Sequence, residues 1–232
     1  LQGLFPGRIH LGIARSWTTV GDLLYRHLDG RPRVRSKPLY DARFNDRLAE
    51  LIGLLEEARK PMIEGDKAYP GLSLEPGEPQ LWLLGSGSES ARLAAKLGTN
   101  IALTEFYGNG LESGPVLSTY RDGFVPGVQA TPATALALSG ICAPTAAEAA
   151  ALLAACPNRF LAANANFCGT PEQCRDIILA RAVRAGVRHI VVKHLGSTLE
   201  GQAQSYRLLA EAVLGTRAGA GACGKARLPI AA

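Results

Sequence analysis

No apolar run in this chain of 232 residues is long enough to cross a bilayer as a helix, and no signal-peptide pattern stands at its visible start. The reading is therefore a cytoplasmic protein without a membrane partner. The five cysteines, Cys142, Cys156, Cys168, Cys174 and Cys223, are odd in number and contain no C-x-x-C pair. That argues against a zinc ribbon or a disulfide framework. The four histidines, His10, His27, His189 and His194, show no H-E-x-x-H spacing, so no metal is expected. The G-x-G-x-x-G fingerprint of dinucleotide folds is missing as well. The net charge of +5 is modest, and its densest run, Arg31-Pro32-Arg33-Val34-Arg35-Ser36-Lys37, has no interleaved aromatic residues. Nucleic acid is accordingly not expected as a partner. A solvated loop, or one drawn to an anionic ligand, is the better reading. The single methionine is Met62, and Leu1 stands in the middle of a pattern, so a segment upstream is expected.

What is present is a globular composition, 47% apolar and 19% charged. The chain is organised around Leu81–Gly98, LWLLGSGSESARLAAKLG. A short apolar run, Leu81 to Leu84, has the length of a buried strand. Gly85-Ser86-Gly87-Ser88 then makes a tight turn, with Ser88 or Ser90 as helix cap. From about Glu89, the positions Leu93, Ala94 and Leu97 give one apolar helical face. A strand, a Gly/Ser turn and a helix N-terminus form either an ordinary capped turn or an anion site, with phosphate as the default anion.

The remaining chain repeats this alternation. Leu4 to Arg8 reads as a helix end and turn, and Ile9 to Ala14 as a strand followed by Arg15. A loop from Ser16 to Pro38 has a helical piece at Val20 to Leu28. A helix over Asp41 to Arg59, capped by Asp41, carries Phe44, Leu48, Leu51, Ile52 and Leu55 at helical spacing. Pro61 to Pro79 reads as an irregular crossing. A strand over Ile101 to Thr104 ends at Glu105 and Phe106. A long connection, Tyr107 to Pro132, contains one helix near Pro115 to Phe124. Ala133 to Cys142 is an apolar strand, and Thr145 caps a helix over Ala146 to Ala155. Pro157 to Gly169 reads as a loop, and Thr170-Pro171 opens a helix that Gly186 closes. Arg188 to Lys193 is the last strand and Gln202 to Leu214 the last helix. From Gly215 the low-complexity end reads as a disordered tail. Strands alternating with helices five times imply a parallel sheet with helices outside, either an open doubly wound sheet or part of a barrel.

Three patches, taken in order, resemble the bacterial luciferase-like, flavin-dependent monooxygenase family: FPGRIHLGIARS (Phe5 to Ser16), PQLWLLGSGSESARLAAKLG (Pro79 to Gly98), and CGTPEQCRDII (Cys168 to Ile178) followed by SYRLLAEAV (Ser205 to Val213). The resemblance runs to about Leu214. It implies a (β/α)8 TIM barrel binding flavin mononucleotide (FMN) at its C-terminal strand ends. The strands present would be four to eight, with residues 1–214 as one barrel domain and 215–232 as tail.

Carried across residue by residue, the resemblance assigns Arg15 to the flavin phosphate, a role suited to a planar, permanently charged guanidinium. It assigns Ser86, Gly87, Ser88 and Ser90 to the phosphate cradle. Glu89 departs from the pattern, because some relatives carry an aromatic residue there. Glu105 and Phe106 border a pocket or simply pack the strand end. His194, beside Lys193 at the top of the last strand, is the candidate acid–base group, against a structural or solvent-facing histidine.

The activity implied is oxidation of a small organic substrate by reduced FMN and dioxygen through a flavin 4a-peroxide. A separate flavin reductase would supply the reduced cofactor, and the protein would be a homodimer. A deazaflavin-dependent oxidoreductase on the same barrel and a non-catalytic flavin-binding subunit are the alternatives.

Overall fold

The computed structural model describes residues 5, 8–15, 37–57, 62–64, 67–69, 79–107 and 112–215. The helical piece at Val20 to Leu28, the basic run at Arg31 to Ser36 and the tail beyond Gly215 lie outside the described residues. The chain forms two compact units. The first comprises Leu1–Gly85, Leu93–Asn100 and Phe124–Pro132, the second Ser86–Arg92, Ile101–Gly123 and Ala133–Ala232.

In the first unit, strand β1 (His10–Ala14) runs parallel to β4 (Gln80–Gly85), with Gly12 opposite Trp82 and Ala14 opposite Leu84. Leu81, Trp82 and Leu83 are buried, so β4 is a core strand, as its unbroken apolar run requires. The indole Nε1 of Trp82 donates to His10 Nδ1 at 3.0 Å across the pair. Helix α1 (Lys37–Glu57) buries Phe44, Leu48 and Ile52, three positions four apart on one face. It begins four residues before Asp41, which is therefore helical and not a cap. Pro38 falls in the first turn, where a missing N–H has no helical acceptor to lose, so the helix extends through it.

Within the crossing after α1, residues 62–64 and 67–69 are strands where irregular chain was expected. Strands β2 (Met62–Glu64) and β3 (Lys67–Tyr69) form an antiparallel hairpin with Glu64 opposite Lys67.

The second unit is built on β6 (Thr134–Cys142), buried from Ala135 to Cys142. It pairs in parallel with β5 (Asn100–Thr104) through Ile101 to Thr104, and with β8 (His189–His194) through Ala135 to Gly140. Near its end it also takes the short β7 (Phe167–Gly169). The cover comes from α3 (Ser113–Asp122), α4 (Ala146–Ala154), α5 (Arg159–Ala163), α6 (Pro171–Ala185) and α7 (Leu199–Leu214).

Local chemistry sets these ends. Thr145 Oγ1 accepts from the Glu148 N–H, and Thr170 with Gln173 forms a reciprocal capping box with Pro171 in the first turn. Gly186 closes α6 at φ 63°, a left-handed position that suits glycine. Arg121 of α3 donates to the Ala185 and Gly186 carbonyls at 3.3 and 2.7 Å, tying α3 to the end of α6.

Pro157 to Gly169 is not a plain loop. Asn158 caps α5 by accepting from the Leu161 N–H at 3.0 Å, and β7 extends the sheet. Every strand pair described within either unit is parallel except the β2–β3 hairpin. The fold is α/β.

Candidate functional site

Two strand ends carry the polar groups singled out by the sequence. At the first, β4 runs through Gly85, Ser86 and Gly87 bend the chain, and α2 (Ser88–Lys96) begins at once. The Ala91 N–H donates to the Gly87 carbonyl at 3.2 Å, the first intrahelical bond, which makes Gly87 the cap residue. Ser88 and Ser90 therefore occupy the first and third helical positions, and neither is the cap expected of them. Glycine is tolerated as a cap residue, and hydroxyls stand on both sides of it at Ser86 and Ser88. Ser86, Gly87 and Ser88 are half-buried, Ser90 is buried and Glu89 is exposed. The helix dipole directs its positive end at this turn.

Arg15 follows Ala14, whose register partner is Leu84, so it stands level with Gly85, the residue that enters the turn. Its guanidinium lies 5.7 Å from the centre of the Phe44 ring, a cation–π contact that orders the side chain against α1.

The second strand end collects residues from β5, β6 and β8. Glu105, just past β5, is bound on both carboxylate oxygens. Arg181 Nη1 of α6 donates to one at 2.5 Å, and the Ser113 hydroxyl of α3 donates to the other. Asn166 Nδ2 donates to the Glu105 carbonyl at 3.4 Å, and Asn166 exchanges bonds of 2.7 and 2.8 Å with the Ser139 backbone. Glu105 is thus a brace among β5, β6, α3 and α6. Phe106 is buried with Ala137, Ile141 and Leu195 in one apolar cluster.

Lys193 and His194 end β8 on opposite faces, because successive strand residues alternate. Lys193 pairs with Ser139 and holds its Nζ 5.7 Å from the centre of the Phe106 ring. His194 pairs with Gly140 and stands edge-on to Tyr206 of α7, at 6.0 Å between ring centres. The Gly196 N–H donates to His194 Nδ1 at 2.8 Å, so the neutral ring carries its proton on Nε2. That Nε2 is buried and has no hydrogen-bond partner. Burial pushes the His194 pKa down from its ordinary 6.5. A neutral imidazole in this tautomer is a hydrogen-bond donor at Nε2.

With this geometry in view, the chain can be set beside known proteins. No family model matches it. YwcH of Bacillus subtilis, an uncharacterized protein, is 28% identical over 248 residues, covering 91% of this chain and 71% of its own length. YceB of the same organism is 30% identical over 153 residues, and there the chain covers 43% of the relative's length. Among solved structures, apo-MsnO8 superposes with a TM-score of 0.67 at 24% identity, over 91% of this chain and 70% of its own. An F420-dependent secondary alcohol dehydrogenase, solved with an F420–acetone adduct, gives 0.58 at 15% identity over 91% and 72%. The oxygenating constituent of 3,6-diketocamphane monooxygenase from Pseudomonas putida, solved with FMN, gives 0.57 at 16% identity over 89% and 70%. The chain shares their fold.

Of the residues expected at a phosphate, Arg15 follows β1, while Ser86, Gly87, Ser88 and Ser90 lie on the turn and first helical residues after β4. The sequence singled out Lys193, His194, Glu105 and Phe106 as strand-end positions, but three partners escaped it: Ser139, Arg181 and Asn166 in its bracing role. Ser139 lies inside an apolar strand and Arg181 in mid-helix, and no local pattern marks either. What could have raised Ser139 is its being the one hydroxyl between Ala135 and Cys142.

Proposed function

We propose that the chain is the phosphate-binding and substrate-facing part of a luciferase-like, FMN-dependent monooxygenase built on a (β/α)8 barrel. The observation that carries this reading is the β4–turn–α2 geometry. It offers a helix N-terminus of nine residues, hydroxyls before and after its first residue, and an arginine level with the turn's entry. These groups fit a phosphate dianion, which asks for several N–H donors and one fixed cation. In this reading the backbone N–H groups and the hydroxyls of Ser86, Ser88 and Ser90 donate to phosphate oxygens, with Gly87 letting the ligand approach. Arg15 supplies a bidentate charge. Reduced FMN, when bound, supplies the electrons that activate dioxygen for transfer to a small organic substrate. Phe106, Ala137 and Ile141 exclude water from the substrate side. A separate flavin reductase and a homodimeric assembly belong to the same proposal.

The test compares FMN with riboflavin, which lacks the phosphate. Arg15→Ala should weaken FMN about 30-fold and riboflavin by no more than about 2-fold, as quenching of flavin fluorescence reports. Equal losses for both would remove Arg15 from the phosphate. A deazaflavin reading has its own support in the likeness to the F420-dependent dehydrogenase. Titrating F420 beside FMN separates the two by relative affinity. Photoreduced FMN mixed with air distinguishes an oxygenase from a mere flavin carrier: long-lived near-ultraviolet absorbance is expected of the former only.

A further inference from the structure

Two observations on one face of the second unit remain unused by the phosphate site. Ser139 is wholly buried, and its hydroxyl has no hydrogen-bond partner. An unpartnered buried hydroxyl carries a desolvation cost with nothing to offset it, so it calls for an acceptor. Its register partner on β8 is Lys193. Neighbouring strands lie about 4.8 Å apart, and paired residues leave the same face, so the two side chains start out side by side.

Lys193 has an exposed side chain, rests on the Phe106 ring, and has no carboxylate partner among the described residues. The carboxylate of Glu105, next to Phe106, is taken up by Arg181 and Ser113 and is not available to neutralise it. A cation, a hydroxyl donor and an aromatic ring thus share a face whose other members are Ala137 and Ile141.

We propose that Lys193 and Ser139 recognise a carboxylate on a flat, apolar organic molecule whose body packs against Phe106. Calling that molecule the substrate rests on the flavin reading above, whereas the anion site itself does not. Lys193 supplies the point charge and Ser139 the second donor. Phe106 holds the ammonium from behind and lies against the ligand body. The chemical class is an aromatic carboxylic acid in its ionised form.

Benzoate is the probe, with benzamide as its neutral counterpart, and binding is read by titration calorimetry on the full chain. Benzoate should bind, and benzamide should bind at least about 10-fold more weakly, because the charge-assisted bond is lost. Lys193→Met keeps an unbranched stem over Phe106 and should weaken benzoate about 10-fold, while Ser139→Ala should weaken it about 5-fold. The Ser139→Ala chain should be at least as stable as the parent, because it deletes an unsatisfied polar group. That keeps the test readable if the lysine variant folds poorly.

FMN and riboflavin titrations on the same samples separate this proposal from the flavin reading. Unchanged flavin affinity in both variants supports a substrate site. Equal weakening of FMN, riboflavin and benzoate by Lys193→Met means that the face holds the flavin ring, which overturns it. Benzoate binding without any flavin binding leaves the anion site standing and removes the flavin function. Benzoate bound equally well by parent and Lys193→Met, or no better than benzamide, overturns the proposal outright.

Discussion

The β4–α2 turn and the joined ends of β5, β6 and β8 both present polar groups beyond strand ends, but they assemble them in opposite ways. At the turn, the donors come from consecutive residues, and most of the geometry is backbone: a glycine cap, a helix start and the hydroxyls between. At the second end, the participants are residues 105, 113, 139, 166, 181 and 193, brought together by strand register and helix packing. A site made by the local backbone tolerates changes elsewhere and fails when an N–H is removed. A site made by register fails when the spacing of strands is disturbed. Substitutions at each end should separate the two behaviours.

The largest effect is expected at Gly140, where register is tightest. A Cβ there would stand 2.1 Å from the Phe167 carbonyl oxygen and 2.6 Å from its ring, so β7 would have to leave β6. Gly140→Val should therefore lower stability by about 3 kcal/mol, at the upper end of overpacking, read from the urea midpoint. Affinity for flavin phosphate should follow only the folded fraction. A variant as stable as the parent would mean that β7 contributes nothing to this end of the sheet.

Next comes the brace. Glu105 is 12% exposed and Arg181 29% exposed as side chains, so the ion pair is only partly screened. Arg181→Met leaves the Glu105 carboxylate with Ser113 alone, and should cost about 2 kcal/mol, less than for a fully buried pair. Adding Glu105→Gln should recover part of that loss, because the uncompensated charge disappears. The exposed pair Arg47–Glu50, 2.8 Å apart, provides the control, and its removal should change stability by under about 0.5 kcal/mol. Similar losses at both pairs would show that Glu105 does not organise this end.

These two predictions show what was readable beforehand. The turn was visible in the sequence because its parts are adjacent: an apolar run, GSGS, then a helical face. The strands at residues 10, 80, 100, 134 and 189 were visible for the same reason, as were the caps at Thr145 and Thr170. Hidden were contacts whose partners lie far apart, such as Glu105 with Arg181, 76 residues away, and Ser139 beside Lys193. Hydrophobic periodicity identifies elements but says nothing of register between them. The helix α5 and strand β7 were missed because Asn158 and Asn166 look like loop residues, while their side chains supply the cap and the sheet bond.

The turn can be sharpened without disturbing its fold. Ser88 is the first helical residue, a position where proline fits because its missing N–H has no intrahelical acceptor. Ser88→Pro should change stability by less than about 0.5 kcal/mol. It should also weaken FMN by about 5-fold to 10-fold through the loss of one N–H and one hydroxyl. Riboflavin affinity should not move. Loss of stability with unchanged FMN affinity would mean that the N–H at residue 88 holds the fold and not a phosphate.

The smallest effect is a pH dependence, and it separates the two faces of β8. Burial favours the neutral form of His194, and protonating Nδ1 would also set its N–H against the Gly196 donor at 2.8 Å. The folded pKa therefore lies below the ordinary 6.5, which an unfolded chain retains. As pH falls, the unfolded state takes up this proton first, so the stability linked to His194 is complete above about 6.5 and is lost as pH falls through the folded value. His194→Phe removes the titration and the unsatisfied Nε2 together. Melting temperatures of parent and variant should differ by a constant amount above about pH 7, and on acidification the parent should fall faster. If His194 instead faced bound ligand, the variant would alter benzoate or flavin affinity at neutral pH. The edge-on contact with Tyr206 of α7 argues for the first outcome.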